Sequence, residues 1–272
     1  MKIAVINYTG TVGKTTVATH LLAPRMGNAP IIAVESINET AAGLGATVEQ
    51  IKGERFKELL GKLLVADDLI VDVGASNIED FMGGMSKFDG SHAEFDYFVV
   101  PVTSGTKEQR ETVMLVQSLA AQGVPAEKIR LLFNRVESGI EESFGIVLKH
   151  IQKTQTATAN PEAAIHENEL FDVLAAKKIS IVKLLEDPKD YKALLRDNKD
   201  ANLNADFAAQ RVNSPLVEAF TYSLCLDQSR CVKFGRNPQH QLAAGWFLRV
   251  FANGRTIFQI KIDGIVEVLC QL

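Results

Sequence analysis

Cysteine is scarce: the chain has three, Cys225, Cys231 and Cys270, all near its C-terminal end. Their number and spacing describe neither a disulfide framework nor a zinc site. Tryptophan occurs once, at Trp246, and no internal repeat or low-complexity linker interrupts the 272 residues. No apolar run is long enough to cross a bilayer. The opening Met1-Lys2-Ile3-Ala4-Val5-Ile6-Asn7 turns polar too early for a signal peptide and reads as a strand. A cytoplasmic location is the expectation that follows. A basic excess is also missing, since the formal net charge is -4, so the chain as a whole carries no nucleic-acid signature.

What the chain does have is 46% hydrophobic residues, ample for a core in one α/β domain with an appendage. Apolar β-branched runs alternate with stretches of helical period. Strands are expected at Lys2–Tyr8, Ile31–Glu35, Leu69–Val73, Tyr97–Val102 and Ile129–Phe133. Helices are expected at Lys14–Met26, Val48–Leu64 and Thr106–Gln122, the last burying Val113, Val116, Leu119 and Ala120. This alternation predicts an α/β fold of the P-loop NTPase type: a mostly parallel sheet flanked by helices, with ligand at the carboxyl ends of the strands. Beyond Ile140 the chain reads as mostly helical, over Glu167–Lys177, Ser180–Glu186, Pro188–Arg196 and Asn202–Phe220. Residues 1–221 are therefore expected to form the nucleotide-binding domain. Residues 222–272 stand apart, with six Lys/Arg against three Asp/Glu. Phe247–Ala252, Arg255–Ile262 and Ile265–Leu269, separated by Asn253-Gly254 and Asp263-Gly264, read as three short strands in a small β-rich appendage.

The most informative segment is Tyr8-Thr9-Gly10-Thr11-Val12-Gly13-Lys14-Thr15-Thr16, between the first strand and the first helix. Backbone N–H groups from Thr9 to Thr16 would converge on phosphate, with the positive end of the helix behind them. Lys14 would contact the β- and γ-phosphates, and the Thr15 hydroxyl would ligate Mg²⁺. The pattern G-x-x-x-x-G-K-[ST] is met except at its first glycine, where Tyr8 stands. Asp72, ending the apolar run Leu69-Ile70-Val71-Asp72-Val73-Gly74, is the matching Mg²⁺ partner; capping of a helix at Asn77–Phe81 is the plainer alternative.

With these elements placed, the chain resembles the ParA/MinD group of P-loop ATPases, and within it the plasmid-stability StbB proteins. The likeness is carried by Lys2–Pro24, Leu69–Gly74, Val99–Gly105, Gly123–Val136 and Ile165–Leu174. It implies an ATP-dependent switch in plasmid stability, partition or transfer, using ATP and Mg²⁺. It also implies an ATP-dependent homodimer, a plasmid-encoded DNA-binding protein as partner, and non-specific DNA contact. Asn134, in Phe133-Asn134-Arg135, matches the residue that contacts adenine, with Arg135 beside it; otherwise Asn134 is a strand-end turn former. Two positions depart from the group. Thr9 stands where the group's first loop lysine would reach a partner's nucleotide. After the second strand, Glu35-Ser36-Ile37-Asn38-Glu39 replaces paired aspartates. Glu35 is the acid left to orient an attacking water, with Glu39 a second choice, and both also read as solvated surface acids. A binding module with little turnover is the rival to a weak ATPase. The basic residues Lys177, Lys178, Lys183, Lys189, Lys192 and Arg196 are interleaved with Asp187, Asp190 and Asp197 and read first as a mixed-charge surface.

Overall fold

A computed structural model describes residues 1–35, 48–168, 170–181, 183, 248–252 and 255–260. Seven strands form one sheet: β1 (Lys2–Val5), β2 (Ile31–Val34), β3 (Val48–Ile51), β4 (Leu69–Val73), β5 (Tyr97–Val102), β6 (Ile129–Val136) and β7 (Ala164–His166). Their order is β3-β2-β4-β1-β5-β6-β7, and every pairing is parallel. The chain builds outward from β1 in both directions, so the carboxyl end of β1 lies at the point where the strand order reverses. That is where such sheets open a ligand crevice.

Period-two alternation sends side chains to both faces. Ile3 and Val5 of β1 join Leu132 and Ile165 on one face, while Ala4 and Ile6 join Val71, Phe98 and Phe133 on the other. The first face is covered by a continuous helix made of α1 (Lys14–Thr16), a π-helical stretch (Val17–Leu22) and α2 (Ala23–Arg25). The second is covered by α3 (Phe56–Val65), α4 (Ile78–Lys87), α5 (Thr106–Ala121), the short α6 (Ile140–Ser143) and α7 (Gly145–Thr154). Phe56, Phe81, Phe95 and Phe98 form a chain of ring contacts at 5.4, 6.0 and 5.0 Å, a geometry worth a little beyond area burial. A last described helix, α8 (Leu170–Lys177), follows β7.

Several expectations need correction. Val48–Leu64 is not one helix: Val48–Ile51 pairs beside β2 as an edge strand, and the helix begins only at Phe56. Gly53 marks the break, because a Cβ there would sit 2.9 Å from Asp80 Cβ and 3.0 Å from Asn77 Oδ1. Ala164–His166 forms a strand inside the stretch expected to be mostly helical. The helix after Asp72 is longer than Asn77–Phe81 and runs to Lys87. On α5 Val116 and Leu119 are buried as expected, but Val113 and Ala120 are only half-buried, and Thr112 and Leu115 complete the inner stripe. The sheet is wholly parallel. In the expected appendage, β8 (Leu248–Ala252) and β9 (Arg255–Ile260) pair antiparallel. The third expected strand, the three cysteines, Lys189, Lys192, Arg196 and residues 36–47 lie outside the described residues. Among the described residues, no helix is long and apolar enough to cross a membrane.

Candidate functional site

Between β1 and α1 the chain turns through Asn7–Gly13 at the carboxyl edge of the sheet. Gly13 takes φ 83°, a left-handed conformation. A Cβ there would lie 2.5 Å from Asn134 Nδ2, so both backbone and space select glycine. No side chain caps the helix that starts at Lys14, and the amide donors of its first turn face the loop.

Lys14 is only 5% exposed. Its Nζ donates to the carbonyls of Asn7 at 3.0 Å and Thr9 at 2.6 Å, inside the curl of the loop. Burial drives its pKa down to about 8, opposed by the charges of Asp72 and Glu35. Thr15 Oγ1 donates to Asp72 Oδ2 at 2.7 Å. Asp72 is 1% exposed and its Oδ1 has no hydrogen-bond partner among the described residues. Burial raises its carboxyl above the usual range, against the lowering effects of the Thr15 hydrogen bond and the Lys14 charge. Glu35, at the end of β2, lies against the end of β4: a Cβ on Gly74 would be 2.9 Å from Glu35 Cγ. One ammonium thus feels the charge of two carboxylates among buried and half-buried polar groups, an arrangement suited to a cation and an anion bound together.

The sequence-derived residues Lys14, Thr15, Asp72 and Glu35 converge here. Gly10 and Thr11 are exposed at the tip of the loop, Thr16 is half-buried, and the Val12 side chain is in the core. Asn134 is also drawn in, but its Nδ2 donates to the Val12 carbonyl at 2.8 Å. It braces the loop from behind and is no mere turn former. Arg135 is exposed, with φ 53°, at the bulge where β6 and β7 slip register. Thr9 is buried, and its hydroxyl donates to Glu111 on α5.

Three residues at the site were not anticipated: Asn7, Glu111 and Thr112. Asn7 is fully buried and its Nδ2 donates to Pro101 O and Thr112 Oγ1, both at 2.8 Å. The available signal was Thr112 itself, a polar residue in the apolar stripe of α5.

Among solved structures, the cell division ATPase MinD of Pyrococcus furiosus superposes with a TM-score of 0.50 at 14% identity, over 78% of this chain and 98% of that one. MinD of Aquifex aeolicus gives 0.49 at 13% identity, over 67% and 88%. A variant of McdA from Cyanothece, in complex with ATP, gives 0.48 at 18% identity, over 68% and 90%. The chain thus shares its fold, a parallel sheet flanked by helices, with the cell division ATPase MinD of Pyrococcus furiosus. No protein-family model matches the chain, and no curated protein matches it in sequence.

Proposed function

We propose that the chain binds ATP with Mg²⁺ through Thr9–Thr16 and works as a nucleotide-dependent switch in plasmid stability, partition or transfer. The observation that carries the nucleotide reading is the pairing of a glycine-bent loop around Lys14 with the Thr15–Asp72 contact. The plasmid setting, a plasmid-encoded DNA-binding partner, non-specific DNA contact and an ATP-dependent homodimer rest on the resemblance to StbB-type proteins alone.

The residues present fit a divalent cation. Asp72 offers a buried oxygen with no hydrogen-bond partner among the described residues, and Thr15 places a hydroxyl beside it. Thr15 and Asp72 would hold the ion, whose chemistry is to neutralise charge on the β- and γ-phosphates. Lys14 releases the carbonyls of Asn7 and Thr9 to reach the phosphates, while loop and first-turn amides supply hydrogen bonds. Asn134 keeps the loop closed behind Val12 and would present the rest of its amide toward a base. Glu35, whose charge acts on Lys14, would be the acid that orients an attacking water.

The second reading is a nucleotide-dependent binding module with little turnover. Thr9 favours it: the residue is uncharged, and its hydroxyl is engaged by Glu111 of the same chain. ATP titration of native protein against Lys14→Ala decides the first question, and loss of binding in the variant is the expected result. Equal affinity in both would overturn the site. Phosphate release with and without DNA separates a slow ATPase from the module.

A further inference from the structure

Thr9 is held at all three of its polar groups. Its N–H donates to Asn7 Oδ1 at 3.0 Å, its carbonyl accepts Lys14 Nζ at 2.6 Å, and its hydroxyl donates to Glu111 Oε2. Two residues earlier, Asn7 Nδ2 donates to Thr112 Oγ1 at 2.8 Å. Glu111 and Thr112 are consecutive on α5, so one turn of that helix grips both ends of the Asn7–Thr9 bend. The second oxygen of Glu111 lies 3.7 Å from Lys107 Nζ, one turn back on the same helix. A carboxylate has the wrong sign to touch a phosphate, so its contribution to an anion site has to pass through the group it holds.

We propose that Glu111 is a positioning residue for the phosphate loop: through the Thr9 hydroxyl it fixes the main chain whose carbonyls seat Lys14, so that a polyphosphate meets a loop already bent. The proposal rests on the phosphate-binding reading of Thr9–Thr16. Its physical basis is preorganisation, because conformational freedom removed before binding is not lost on binding. The charge itself is not required, only an acceptor at Oε2.

The test measures affinity for a fluorescent ATP analogue with Mg²⁺, in full-length protein whose melting temperature confirms folding. Thr9→Val and Glu111→Ala each weaken binding about fivefold, the size expected for one hydrogen bond. The double variant is no weaker than either single one, since both remove the same contact. Thr9→Ser and Glu111→Gln, which keep donor and acceptor, restore native affinity; a merely structural role for bulk or charge would not predict that rescue. Unchanged affinity in Thr9→Val, tighter binding, or additive losses in the double variant would overturn the proposal. Amide exchange of Gly10–Lys14 in ligand-free protein gives an independent reading: faster in Thr9→Val, native in Thr9→Ser. If native protein bound no nucleotide, the reading of the loop would fail. The exchange comparison would still decide the latch, with equal rates in all variants counting against it.

Discussion

Lys14 and Asp72 are ionisable groups that the fold holds against their solvation preference. With its pKa lowered from 10.5 to about 8, Lys14 binds its proton less tightly in the folded chain than in the unfolded one. Its contribution to stability therefore rises between about pH 8 and 10.5 and is least favourable below that window. A bound polyphosphate favours the ammonium. ATP affinity is thus expected to fall as pH rises through about 8, with proton uptake on binding seen as a buffer-dependent heat in titration calorimetry. Asp72 shifts the other way: its raised pKa means that ionisation costs stability as pH climbs above the ordinary carboxylate range. Asp72→Asn should stabilise the ligand-free protein at neutral pH, read from urea unfolding, while Mg²⁺ no longer strengthens ATP binding. If the variant is destabilised and still responds to Mg²⁺, the assignment of Asp72 is wrong.

Packing between elements sets the frame that holds these groups. The ring of Phe56 on α3 lies directly on Gly84 of α4, where a Cβ would be 2.4 Å from Phe56 Cβ. Gly84→Ala forces the two helices apart and should cost about 1–3 kcal/mol by denaturant unfolding. Gln109, buried on α5, joins three elements at once. Its Nε2 donates to Ser104 O and Ser143 O at 2.8 Å, and its Oε1 accepts from Ile146 N and Val147 N at 3.1 and 3.3 Å. Gln109→Leu removes the partner of two carbonyls, before α5 and at the end of α6, and of two amides at the start of α7, and should cost about 2–4 kcal/mol in the same assay. His20 docks the π-helical stretch on the chain after α8: its Nδ1 accepts from Ile181 N at 3.3 Å, and burial lowers its pKa to about 4. It stays neutral at physiological pH and acts there as a packed acceptor.

For the molecule as a whole, binding confined to the folded state has to appear as stability. At a free Mg·ATP concentration of one hundred times Kd, the gain is about 2.7 kcal/mol. A matching rise in melting temperature is expected in native protein, reduced by chelation of Mg²⁺ and absent in Lys14→Ala. A rise of equal size in the variant would place nucleotide elsewhere on the chain.

The sequence alone determined the parallel α/β plan and the glycine bend before the helix that starts at Lys14. Five strands and the helix starting at Lys14 announce themselves through local apolar runs, and Gly13-Lys14-Thr15 carries its own backbone requirement. Asp72 stood out as the one charged residue in the apolar run of β4. Tertiary structure alone decided the rest. Val48–Ile51 and Ala164–His166 are strands because a neighbouring edge offers them hydrogen bonds; neither segment has the length or alternation to declare itself. The amide of Asn134 meets Val12 only because β6 lies two strands from β1, across β5. Glu111 reaches Thr9 across more than a hundred residues, and no local pattern encodes a contact between segments so far apart in the chain. Periodicity records what each segment does to itself, whereas these polar contacts exist only once the sheet has brought distant segments to one edge.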